Sequence, residues 1–361
     1  MPSLAENAVK NCLRIRPDDN VSIFCYPHTL ALAEDLAREC FKVGADALLD
    51  LYTDRFYSDY MKYLSKEKLR QPSVFCRGLS ELSTAVFWAG AAENPVVYRR
   101  VPTDKMAAND EAETEAHRPM RERKVRSLSL AIGLVTKPRA KTYGYNFAAW
   151  QRMVQEASEV PAKTLTATGQ RLGGILGTAD EVHVTSPGGT DLTFSVRGRS
   201  PMIYDGIVDD EDIAAGVFDA SIPAGDVSIF PVETSAEGQV VFDVPQAWAG
   251  RTIRRMVWKF RDGRLTAFEG DANALALRKQ YEASSGDRDR IASLTIGTNP
   301  KATIGFLQNA IARGSVSIGV GGNDFVGGAN KSSFGFESAV KAATLEVDGK
   351  PVVREGKLLV A

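Results

Sequence analysis

The sequence predicts two domains: an N-terminal α/β layer, then a C-terminal α+β domain rich in antiparallel strands. Three observations predict this. A length of 361 residues exceeds what one ordinary core accommodates. The first half alternates strand and helix patterns at the spacing of parallel crossovers. The second half is punctuated by hairpin turns. The texture changes close to Thr178, which sets the expected domains at 1–178 and 179–361.

In chain order, residues 3–16 carry an amphipathic stripe of Leu4, Ala8, Val9, Cys12 and Leu13, which predicts a helix. The run 21–26 reads as a strand. Thr29 caps a helix to about Val43, closed by Gly44, and 47–52 is the next strand. Runs 84–89 and 128–135 read as further parallel strands, with a charged helical segment over 104–125 between them. A helix over 150–162 and the glycine-rich 169–177 precede the boundary. Beyond it come strands 181–186 and 192–197, a hairpin turning at Asp262-Gly263, and a helix over 272–283. Strand 293–297, a largely helical 300–313, strand 315–320 and a last hairpin at Asp348-Gly349 complete the chain.

Composition narrows the function. Hydrophobic residues make up 44% and charged residues 25%, with a net charge of −1, which is the profile of a soluble globular protein. The basic run 118–126 reads as a solvated face, so no nucleic-acid partner is expected. No apolar stretch is long enough to cross a bilayer, and the N-terminus lacks the features of a signal peptide. Cys12, Cys25, Cys40 and Cys76 form no C-x-x-C pair and read as free thiols of a reducing cytoplasm. No G-x-G-x-x-G follows the first strand, which excludes a dinucleotide fingerprint.

The stretch 221–243, SIPAGDVSIFPVETSAEGQVVFD, is a buried strand, a polar loop with Glu233 and Glu237, and a second strand. It resembles a segment of the aminopeptidase T/aminopeptidase S metallopeptidases. It is equally similar to one in the dihydroxypyridine ring-opening dioxygenases of the same architecture. Residues 292–300 (ASLTIGTNP), 317–321 (SIGVG), 327–337 (GGANKSSFGFE) and the closing 347–349 and 355–356 continue the resemblance in order. It implies an aminopeptidase-T-like fold and a homodimer.

In the aminopeptidases two metal ions sit on carboxylates, histidines and a tyrosine. Carried onto this chain, the first glutamate position is Asp226 and the second is Ser293. One histidine position is Ser317, the tyrosine falls near Asp324, and the last His-Trp-Asp triplet is Gly335-Phe-Glu337. The dioxygenase iron ligands fall at Glu269, Gly335 and Glu337. His28, His117 and His183 lie outside these motifs. Imidazoles are missing where zinc or iron wants them, and what remains is oxygen donors: Asp226, Glu269, Asp324 and Glu337. Such a set suits Mg²⁺, Ca²⁺ or Mn²⁺ and disfavours zinc and iron. It equally suits a metal-free site in which one buried carboxylate works as a general base, or plain structural acids.

Glu337, Glu269 and Asp226 are therefore the candidate catalytic residues, and Asp226, Asp324 and Glu337 the candidate metal ligands. The glycine-rich 319–328 lacks the Gly-Lys-Ser/Thr of a phosphate loop and reads as a sharp turn carrying Asn323, Asp324 and Asn330 toward a cleft. Asn323, Asn330, Lys331 and Tyr143 are the candidate substrate contacts. The expected function is an aminopeptidase-like hydrolase, or an enzyme derived from one, acting on a small peptide, amide or other small molecule with an altered or absent metal site. The alternatives are a heterocycle-degrading enzyme and a non-catalytic ligand-binding protein.

Overall fold

The computed structural model describes residues 2–324, 326 and 328–360. It divides into two compact units, 1–158 with 206–223 and 159–205 with 224–361. The change of texture expected near 178 thus lies inside the second unit. The helix Ala162–Leu176, which holds the glycine-rich stretch up to its C-cap Gly177, belongs to that unit, and the segment 206–223 returns to the first.

The first unit is built on a five-stranded parallel sheet in the order Asp46–Leu51, Asn20–Cys25, Ala85–Trp88, Arg126–Leu130, Asp219–Ile222. Its second strand feeds the helix Leu30–Val43, whose Ala33, Leu36, Ala37 and Cys40 are buried, and Gly44 closes the helix with φ 97°. Thr29 does not cap that helix through its side chain. Its hydroxyl is bound to the backbone of Tyr26 instead, closing a short 3₁₀ turn. The run expected as a strand to 135 ends at Leu130 and continues as a 3₁₀ turn over Ala131–Leu134.

The second unit holds an eight-stranded and a five-stranded sheet, both antiparallel, whose apolar faces contribute to one core around Phe242, Trp258, Leu294 and Ile318. The five-stranded sheet runs in the order Gly335–Val340, Val316–Gly321, Ile291–Gly297, Asp226–Ile229, Met202–Tyr204. Segment 300–313, expected as largely helical, is a series of turns with one 3₁₀ turn at Asn309–Ile311. Asn299 Oδ1 accepts the amides of Lys301 (2.9 Å) and Ala302 (3.2 Å), and Asn309 Oδ1 accepts that of Gly305 (2.7 Å). These side-chain bonds replace the helical ladder.

Candidate functional site

The five-stranded sheet has a polar face as well as an apolar one, and strand alternation decides which residue lies on which. Leu294, Ile296, Ile318 and Val227 point into the core. Their alternates, Ser293 and Thr295, share a face with Ser317 and Gly319 on one side and Ser228 on the other. Glu337 stands directly opposite Gly319, which stands opposite Ser293.

That register makes the site. Ser293 Oγ donates to Glu337 Oε2 at 2.6 Å, and Thr295 Oγ1 donates to the same oxygen at 2.8 Å. A Cβ at position 319 would lie 2.2 Å from Ser293 Oγ, so only glycine lets the carboxylate cross its own neighbouring strand. Oε1 takes no partner among the described residues. Burial pushes the Glu337 carboxyl above the usual carboxylate range, and the two hydroxyls act against that shift.

The contacts continue across the sheet. Thr295 Oγ1 and Ser228 Oγ are 2.9 Å apart, and Ser228 Oγ donates to Asp226 Oδ2 at 3.3 Å. Three contacts from Glu337 through Thr295 and Ser228 to Asp226 share two hydroxyl hydrogens. A proton on either carboxyl fills the third contact, so this row of side chains can carry one proton in either of two places.

The other sequence candidates lie elsewhere. Glu269 is exposed on the strand Arg264–Gly270 of the eight-stranded sheet and pairs with Lys259 Nζ at 3.5 Å. It does not join Asp226 and Glu337. Asp324 is exposed, and Phe325 and Gly327 of the same turn lie outside the described residues. Asn323 and Asn330 are buried with their amides bound to backbone. Asn323 Nδ2 donates to Ala292 O (2.8 Å), and Asn330 Nδ2 to Ile291 O (2.9 Å) and Gly321 O (3.0 Å). They tie the turn to the sheet. Lys331 is exposed, its backbone held by Asp287. Tyr143 belongs to the first unit, buried with its ring 5.7 Å from that of Tyr145.

Among the described residues no three of His, Cys, Asp and Glu gather to hold a metal ion. The donors at the positions carried over from the metallopeptidases explain this. Ser293 presents its hydrogen to Glu337, Ser317 Oγ is buried without a hydrogen-bond partner, and Gly335 offers no side chain. Neutral hydroxyls do not replace the imidazoles and bridging carboxylate of a transition-metal pair, so the residues present do not fit one.

A family model described as thermophilic metalloprotease (M29) matches residues 1–290. The chain belongs to the M29 family. Among solved structures, AmpT from Thermus thermophilus matches with a TM-score of 0.73 at 14% identity, over 99% of this chain and 98% of that one. The 2,5-dihydroxypyridine dioxygenase from Pseudomonas putida KT2440 matches with a TM-score of 0.61 at 15% identity, over 96% and 94%. No curated protein matches. The architecture is therefore aminopeptidase-T-like, and this M29 chain carries a hydroxyl network on the sheet face described above.

Thr295, Ser228 and Gly319 are the residues that sequence reasoning missed. Their signal is a strand pattern, small polar residues alternating with large apolar ones in Ser293-Leu-Thr-Ile-Gly297 and Ser317-Ile-Gly319. It shows a polar face but not what that face holds.

Proposed function

We propose that this chain is an aminopeptidase-like hydrolase, or an enzyme derived from one, that acts on a small amide or short peptide without a transition-metal pair. The observation that carries the reading is the asymmetry of Glu337: one oxygen is fixed by Ser293 and Thr295, and the other takes no partner among the described residues. A carboxyl so held has a set direction and one working oxygen. Its raised pKa brings proton exchange closer to neutral pH, which is what general acid–base catalysis needs. In amide hydrolysis Oε1 takes a proton from the attacking water and returns it to the departing amine. The row through Thr295 and Ser228 lets Asp226 share that proton. M29 membership supports amide chemistry, and the reading includes a cytoplasmic homodimer with a small-molecule or short-peptide substrate.

The test is an amidase and aminopeptidase screen of the purified protein, run with and without chelator. Turnover that survives chelation and is lost in Glu337→Gln supports the reading. Turnover abolished by chelation and restored by zinc or cobalt contradicts it.

A further inference from the structure

The first unit carries a separate cluster. Asp50, Phe24 and Trp88 sit side by side on one face of the parallel sheet, Phe24 in register with both neighbours. Rings extend from this row in both directions. Phe24 lies 4.9 Å from Tyr52 and 5.5 Å from Trp88, Tyr52 lies 5.3 Å from Phe56, and Trp88 lies 5.8 Å from His117. His117 Nε2 is 3.3 Å from Cys76 Sγ. Such a group of rings ordinarily closes into a core. Here Phe24, Tyr52 and Trp88 are only part-buried and Phe56 is 55% exposed, so the cluster stays open to solvent.

Two carboxylates face it. Asp50 makes no hydrogen bond or ion pair among the described residues. Glu113 accepts from Asn109 Nδ2 at 2.7 Å and has no ion pair among the described residues. Glu113 is exposed and, like Asp50, acts electrostatically on Tyr52 and Cys76 of the cluster. Among the described residues neither is paired with a lysine or arginine; desolvation raises both carboxyls, and a cation bound beside them draws them to the ionised form. Burial and Arg121 hold His117 below its ordinary range, so the imidazole supplies no countercharge at neutral pH. The Cys76 thiol is pushed up to about 11, first by burial and then by the two acids, and stays neutral.

Aromatic faces with uncompensated carboxylates have one matching ligand chemistry: a cation with an apolar shell, attracted by ring quadrupoles and by the acids together. We propose that this cluster binds a small organic ammonium ion, with Phe24, Tyr52 and Trp88 as walls and Asp50 and Glu113 as countercharges. An inorganic cation needs several converging oxygen ligands and gains little from the walls. The site is independent of Glu337 and does not depend on the hydrolase reading.

The test is calorimetric titration of the full-length protein with choline and with 3,3-dimethyl-1-butanol, its uncharged isostere. Choline is expected to bind saturably and at least about tenfold more tightly than the alcohol. Asp50→Asn and Glu113→Gln should each weaken choline by about tenfold, and their melting temperatures check that they remain folded. Equal binding of the two probes, or binding of neither, overturns the proposal. So does loss of a dimer in Phe75→Asp without any choline binding by the wild type. Phe75 is 88% exposed beside Cys76, and that result would make the cluster a contact between copies of this chain.

Discussion

Ser293 and Glu337 sit two strands apart, yet Ser293 Oγ lies 2.6 Å from Glu337 Oε2. Gly319 between them presents no side chain, and the carboxylate lies over the gap. The contact joins two positions at which the resemblance to the metallopeptidases leads one to expect metal ligands, and here they meet through a hydrogen bond.

Gly319→Ala should therefore disrupt the site by sterics alone. The new methyl would fall 2.2 Å from Ser293 Oγ, and overpacking of this kind costs about 1–3 kcal/mol. Urea denaturation should show that loss, with Ser293→Ala/Gly319→Ala recovering part of it.

Glu337 gives a pH signature. Burial raises its folded carboxyl above its unfolded value, which is about 4.3. Its stabilising contribution is thus fully present below the unfolded value and is lost as pH rises through the folded one. Glu337→Gln does not ionise and its amide oxygen still accepts from both hydroxyls. The variant should gain stability relative to wild type as pH rises, read as urea midpoints across a pH series. A constant difference at all pH values would mean that Glu337 does not titrate differently on folding.

Asp19 and Arg126 give the opposite sign. Arg126 Nη2 holds both carboxylate oxygens of buried Asp19, at 2.6 and 2.7 Å. Burial alone would raise this carboxyl, but the Arg16 amide, Arg126 and Thr84 together hold it below its ordinary value. Its contribution is present above the unfolded value of about 3.9 and lost as pH falls through the folded one. Asp19→Asn leaves Arg126 buried with a poorer partner and should cost about 3–5 kcal/mol at neutral pH, with the gap to wild type closing in acid.

Asn330 separates a structural role from a substrate contact. Its side chain donates to Ile291 O and Gly321 O. Asn330→Ala leaves two buried carbonyls without those donors, and each unsatisfied group costs about 1–3 kcal/mol. Chemical denaturation should show the loss. If Asn330→Ala instead leaves stability unchanged and raises KM, the residue contacts substrate as the sequence reading expected.

Much of the fold was legible because period-two alternation and Asp-Gly turns act locally. The strand expected over 293–297, which runs Ile291–Gly297, and both hairpins could be read from neighbouring residues. The strand Asp219–Ile222 could not. It is four residues long and pairs with Arg126–Leu130 across some ninety residues of chain, and local sequence carries no trace of such a partner. The site was half legible for the same reason. Asp226 and Glu337 were readable as oxygen donors, but strand register decides which donors meet, and it placed Glu269 on a different sheet. Asn323 and Asn330 looked like cleft residues because a polar side chain in a glycine-rich turn usually meets solvent, whereas here both are buried against strand ends.

The most direct measurement is metal content by mass spectrometry, after the purified protein has been incubated with excess zinc, cobalt or manganese and then desalted. Far less than one equivalent per chain of any transition metal is the predicted result, since hydroxyls occupy the sheet face. Two equivalents retained per chain, and lost in Glu337→Gln, would contradict the account.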